Sequence, residues 1–130
     1  RIQKLDISIN FYYNIKMCNC IFCKIIQKEI KADIVSETEN FIAIRDVNPQ
    51  APVHVLVIPK NHIASLNEFE KSDEYLIAEA NILARKIAKS EGISESGYRL
   101  VLNTNSAAGQ SVFHIHWHIL GGREMTWPPG

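Results

Sequence analysis

The sequence predicts an α+β domain: a mostly antiparallel sheet of about five strands, with one long and one short helix. Short β-prone runs bounded by turn residues supply the strands. A single long apolar stripe at helical spacing supplies the main helix, and the strands gather around it rather than alternating with helices.

Taken in order, Ile21, Phe22, Ile25 and Ile26 recur at helical spacing and predict a short amphipathic helix over 21–28. Strands follow over Ile34 to Glu37 and Phe41 to Asp46, around the turn residues Thr38, Glu39 and Asn40. Asn48-Pro49-Gln50-Ala51-Pro52 reads as a loop, because each proline removes a donor and restricts its predecessor. His54 to Ile58 is a near-continuous apolar strand, expected to be buried on both faces and ended by Pro59. Ser72 is expected to cap the long helix, with Asp73 and Glu74 in its first turn. Its stripe is Leu76, Ile77, Ala80, Leu83, Ala84, Ile87 and Ala88. Lys86, Lys89 and Gly92 form the stop signal, giving about twenty residues. Tyr98 to Asn103 and Ser111 to Leu120 complete the strands, joined by the small, polar loop Thr104–Gln110.

A chain of 130 residues fits one domain with a core of its own. The extension 1–17 is set apart from a domain over 18–130. Leu5, Ile7, Ile9, Phe11, Tyr13 and Ile15 alternate like a strand, and Met17 is the expected natural start. The balance of 14 basic and 14 acidic residues lacks the electrostatic footprint of a general nucleic-acid binder. A small anionic ligand is compatible with it, since local dipoles can hold one phosphate. No apolar run approaches the roughly 18 to 20 residues of a membrane-spanning helix. Cys18, Cys20 and Cys23 are too close together for a spread disulfide framework, which points to a reducing, cytoplasmic setting or to metal binding.

The segment richest in chemistry is Gly109-Gln110-Ser111-Val112-Phe113-His114-Ile115-His116-Trp117-His118-Ile119-Leu120. In a strand, alternate side chains share a face, so His114, His116 and His118 are expected on one surface and Ile115, Trp117 and Ile119 on the core side. Three imidazoles in a row pack poorly without partners. Two chemistries suit them: metal ligation by neutral rings, or attack by one ring nitrogen while its neighbours set tautomer and charge. An attacking ring must keep a proton on its other nitrogen, and a backbone carbonyl could hold it there.

The run from His114 to Leu120 resembles the histidine-triad signature, His-φ-His-φ-His-φ-φ with φ apolar, at all seven positions. From about Cys20 to Gly130 the chain is similar to the Hint branch of that superfamily. Ile21 to Ile26, Asp46 to His54, Val57 to Ile63 and Trp127-Pro128-Pro129-Gly130 carry the likeness. The resemblance implies a homodimeric hydrolase that cleaves the P–N bond of purine nucleoside 5′-phosphoramidates, with no cofactor needed for catalysis. It implies His116 as nucleophile, forming a covalent nucleotidyl-imidazole, with His118 and His54 beside the α-phosphate. Ser111 and the backbone of Gly109 and Gln110 would cradle phosphate and leaving group, and Asn103 would also meet the phosphate. Asp46 would accept from the ribose hydroxyls. Ile21, Phe22, Ile25, Ile44 and Val47 would form the slot for the base. Trp127 would influence substrate choice at the partner's site.

Cys20-Ile21-Phe22-Cys23 is half of a tetrahedral metal site, and by itself fits redox, zinc or two packed thiols. No βαβ pattern accompanies it to favour a thioredoxin-type role. The resemblance implies a structural zinc completed by His62 and His114, and leaves Cys18 without a role. Three other functions compete: a dinucleoside polyphosphate hydrolase as in the Fhit branch, a non-catalytic nucleotide-binding regulatory module, and a zinc-dependent structural protein with no nucleotide site.

Overall fold

A computed structural model describes residues 19–130; the N-terminal extension and Cys18 lie outside the described residues. Five strands form one antiparallel sheet in the order β1-β2-β3-β5-β4, with β1 Ile34–Glu37, β2 Phe41–Arg45, β3 Val53–Pro59, β4 Tyr98–Leu102 and β5 Trp117–Gly121. Two α-helices accompany them, α1 Ile21–Ile26 and α2 Tyr75–Ser90. The predicted fold class stands.

Strand alternation sorts the side chains onto two faces. Phe41 and Ala43 of β2, Val55 and Val57 of β3, and Trp117 and Ile119 of β5 pack against Leu76, Ala80, Leu83, Ala84, Ile87 and Ala88 of α2. Ile42, Ile44, Leu56 and Ile58 point the other way, onto Phe22 and Ile25 of α1. β3 is therefore buried on both faces, as its unbroken apolar run predicts. Burying each aliphatic side chain contributes about 1.5–3 kcal/mol, so the broad α2 face supplies most of the stability. The smaller α1 face carries the histidines.

Several predicted boundaries move, each for a physical reason. The long helix begins at Tyr75, three residues after the expected cap. Ser72 sits inside a separate 3-10 turn, Lys71–Asp73, which Glu70 and Asp73 close as a capping box. At the other end Gly92 takes φ +75, the left-handed stop that the sequence announces. The short helix stops at Ile26, and Lys28 follows with φ 64. The strand expected over Ser111 to Leu120 is the main correction. Only Trp117–Gly121 is strand, and 111–116 is irregular. The Ile115 amide leaves the sheet ladder to donate to Ile63 O at 2.7 Å. That bond pulls the segment towards the loop carrying His62.

Candidate active site and metal centre

His118 lies on β5 opposite Leu56 of β3, and His54 lies two residues before Leu56. Diagonal neighbours on one sheet face come within reach of each other, and His54 Nε2 stands 2.9 Å from His118 Nδ1. His116, just before β5, places its ring centroid 4.9 Å from that of His118. His114 ends up elsewhere. Its ring is fully buried on the far side of Phe22, whose edge meets the His116 ring at 5.0 Å and the His114 ring at 5.9 Å. The expected row of three is thus divided two to one.

Hydrogen bonds assign a proton to each ring. His116 Nδ1 donates to the His114 carbonyl at 2.8 Å, leaving the Nε2 lone pair without a protein partner among the described residues. Every fully buried side-chain nitrogen or oxygen described has a partner, so this Nε2 is reached by solvent. The Gln50 amide donates to His54 Nδ1 at 3.0 Å. His54 must then carry its proton on Nε2, which donates to His118 Nδ1. His118 in turn keeps its proton on Nε2. The site therefore offers one ring lone pair and, beside it, one ring N–H.

All of these rings are held neutral. Burial pushes His118 down to about 4, helped by neighbouring His116 and His54 and opposed by Asp46. Burial likewise lowers His116, against the hydrogen bond to His114 O, and lowers His54, against Asp46. Asp46 Oδ2 is 3.4 Å from His54 Nε2, and its Oδ1 accepts from the Asn48 amide at 2.8 Å.

A second cluster sits behind Phe22. Cys20, Cys23, His62 and His114 bring one ligand atom each to within 4.8 Å of one another. His114 Nε2 donates to Pro59 O at 2.7 Å, so its Nδ1 presents a lone pair to the cluster. Tetrahedral zinc with ordinary bond lengths needs ligand–ligand edges of about 3.3 Å between nitrogens and about 3.5 Å from nitrogen to sulfur. His62 Nδ1 to His114 Nδ1 is 3.1 Å, and the nitrogen–sulfur separations run from 3.2 to 3.6 Å. The residues fit a metal ion. Ligation needs both cysteines as thiolates, so it belongs to the reduced chain. Burial also lowers His114 to about 4, which keeps its ring in the ligating form. Asp46, His54 and His118 also lie close enough to resemble a ligand set. They do not fit one, because the Gln50 amide keeps a proton on His54 Nε2, where a metal would need a lone pair.

The remaining site residues fall into place unevenly. Phe22, Ile25 and Ile44 are buried in the α1-side cluster, Ile21 is half exposed, and Val47 is fully exposed. Asn103 is half-buried and Ser111 exposed at the two ends of the 104–110 loop. Gly109 takes φ +85, which glycine alone adopts without strain. Its amide and that of Gln110 donate inside the loop, to Ser106 O at 3.0 Å and Asn105 O at 3.1 Å. The two amides expected to cradle phosphate are thus committed within the loop. The Gln110 side chain is buried and braces the loop, donating to Ala64 O and Val112 O and accepting from the Asn105 amide. Trp127 is exposed. Sequence reasoning missed Gln50. Its only signal is its place between two prolines that cannot donate, four residues before His54.

The model of the HIT domain matches residues 27–125. The chain belongs to the HIT domain family. An uncharacterised HIT-like protein of Synechococcus elongatus is 53% identical over 110 residues, covering 85% of this chain and 96% of that one. A HIT family hydrolase of Legionella pneumophila superposes with TM-score 0.84 at 58% identity, covering 86% of this chain and all of the other. A histidine triad nucleotide-binding protein of Candida albicans gives TM-score 0.73 at 34% identity, over 85% of this chain and 83% of its own. This HIT chain shares their sheet and helices, and no helix among its described residues is long and apolar enough to cross a membrane.

Proposed function

We propose that this HIT protein is a purine nucleoside phosphoramidase that works through a covalent nucleotidyl-His116 intermediate. One observation carries the reading. The His114 carbonyl holds the proton of His116 on Nδ1, so the solvent-reached Nε2 presents its lone pair beside the His118 N–H. The nucleotide-binding and hydrolase names of its relatives support it.

In the first step His116 Nε2 bonds to the α-phosphorus and the P–N bond breaks. The amine leaves with that electron pair and a proton from solvent, relayed at the Ser111 hydroxyl. In the second step water bonds to phosphorus, the electron pair returns to Nε2, the water's proton passes to solvent, and nucleoside monophosphate departs. His118 Nε2–H donates to the phosphoryl oxygen where charge builds, and Asn103 meets the same phosphate. Asp46 accepts from the ribose, and Phe22, Ile25 and Ile44 with Ile21 and Val47 at the rim take the purine. Trp127 selects among substrates.

The reading includes a structural zinc on Cys20, Cys23, His62 and His114. It would tie α1 to the segment before β5 and supply no step of the reaction. It also includes a cytoplasmic homodimer. The outer strand β4 offers the second copy a sheet edge.

The test is His116→Asn with a fluorogenic adenosine phosphoramidate. Turnover should fall by about 10⁴-fold or more, with the wild type preferring this substrate to diadenosine tetraphosphate. Near-normal turnover in the variant would remove His116 as nucleophile, and preference for the dinucleotide would move the activity to polyphosphate hydrolysis.

A further inference from the structure

The tautomer chain of the site starts outside the histidines, at Gln50 and Arg123. The Gln50 backbone is held on both sides of its Cα. Its N–H donates to His54 Nδ1 at 3.0 Å, and its carbonyl accepts from Arg123 Nε at 2.9 Å. Arg123 is anchored in turn by its Nη1, which donates to Glu124 O at 2.9 Å. The Gln50 side chain folds back to Asn48 O at 3.0 Å, and the Asn48 amide binds Asp46 Oδ1. Pro49 and Pro52 flank this turn, and neither has an N–H to offer. Within the loop only the Gln50 amide is bonded to a site imidazole.

We propose that Gln50 and Arg123 are positioning residues: Arg123 holds the Gln50 carbonyl on one side of its Cα, and the Gln50 N–H on the other side, kept in place by that anchor, dictates which nitrogen of His54, and through it of His118, carries the proton. Without the N–H, His54 Nε2 can present either a proton or a lone pair to His118 Nδ1. The His118 proton then moves to Nδ1 in part of the population, and the donor facing the phosphate is lost. Arg123 thereby reaches the reacting phosphate through two backbone contacts and two rings. This inference rests on the proposed hydrolysis for its rate consequence and on hydrogen bonding alone for its tautomer consequence.

The experiment pairs Gln50→Ala, which keeps the amide, with Gln50→Pro, which removes it, and adds the exposed Arg123→Ala. Long-range ¹H–¹⁵N correlation of the imidazoles reports the tautomer of each histidine in the full chain, and steady-state kinetics with a fluorogenic phosphoramidate reports kcat and KM separately. Gln50→Ala should keep Nε2-protonated His54 and His118 and a kcat within about twofold of the wild type. Gln50→Pro should show mixed tautomers at both rings and lose about tenfold or more in kcat with little change in KM, the scale set by one misplaced donor or acid. Arg123→Ala should shift the same imidazole signals in the same direction by less, with a kcat loss of about threefold, and Arg123→Lys should restore part of it. A folded Gln50→Pro protein with unchanged tautomers would overturn the proposal, as would equal losses in the alanine and proline variants. Unshifted imidazoles in Arg123→Ala would remove Arg123 from it. If the wild type hydrolyses no phosphoramidate, the proposed function falls while the imidazole spectra still decide the tautomer claim.

Discussion

Two clusters of imidazoles lie on one side of this sheet, about one phenyl ring apart, and their hydrogen bonds make them chemical opposites. At His114 the far nitrogen donates to Pro59 O, so the near one turns a lone pair on Cys20, Cys23 and His62. At His54 the far nitrogen accepts from the Gln50 amide, so the near one turns a proton on His118. The same residue type, equally close to neighbouring ligand atoms, presents a lone pair suited to a metal ion in one place and a proton to its neighbour in the other. Proximity alone does not separate the two, since both sets would pass as metal sites on distance. What the second nitrogen touches decides it. His114 also joins them, giving its ring to one cluster and its carbonyl to His116 of the other.

The sharpest way to break this contrast is to remove the phosphate-facing donor. His118→Asn should lower kcat with an adenosine phosphoramidate by about 10²-fold or more, while zinc content measured by elemental analysis stays at that of the wild type. Loss of both would mean that the clusters are not separable. Next in size, Asp46→Ala should raise KM by about tenfold, the scale of one lost hydrogen bond to a charged group, with a smaller change in kcat; calorimetric titration with AMP would give the same factor.

The converse change tests the other cluster. Cys20→Ser with Cys23→Ser should abolish stoichiometric zinc in reduced protein and lower Tm, yet leave kcat within a few-fold. Collapse of turnover in protein that remains folded would give the metal a role in the reaction. Smallest is the pH effect. His118 titrates at about 4 when folded against 6.5 for the ordinary side chain. Between those values the unfolded chain binds more protons than the folded one, so stability falls as pH drops from about 6.5 to 4. His54 and His116, both lowered, act in the same sense, and Asp46 opposes. His118→Asn should flatten the Tm-against-pH slope in that window.

How much of this could be read beforehand varied with the range of the interactions. The sheet, the α2 stripe and the Gly92 stop come from local spacing and backbone preference, which the chain displays openly. His114, His116 and His118 stand out for the same reason, because alternation is visible in one dimension, whereas His54 and His62 enter only through the family resemblance. The long strand over 111–120 was not realised, since the Ile115 amide bonds Ile63, 52 positions away in the chain, and no local pattern records that. Ser72 looked like a cap because it precedes the stripe, but the Glu70–Asp73 box claims that turn. Gly109 and Gln110 looked like phosphate donors until their amides were found inside the loop. Gln50 stayed invisible because it acts through its peptide group, which every residue but proline carries.

The covalent step is the centre of the account. Rapid mixing of the protein with an excess of adenosine phosphoramidate, acid-free quenching and intact-mass measurement should show a single adenylyl adduct, which peptide mapping places on His116. Amine release with no adduct at any time point, or an adduct on another side chain, would contradict it.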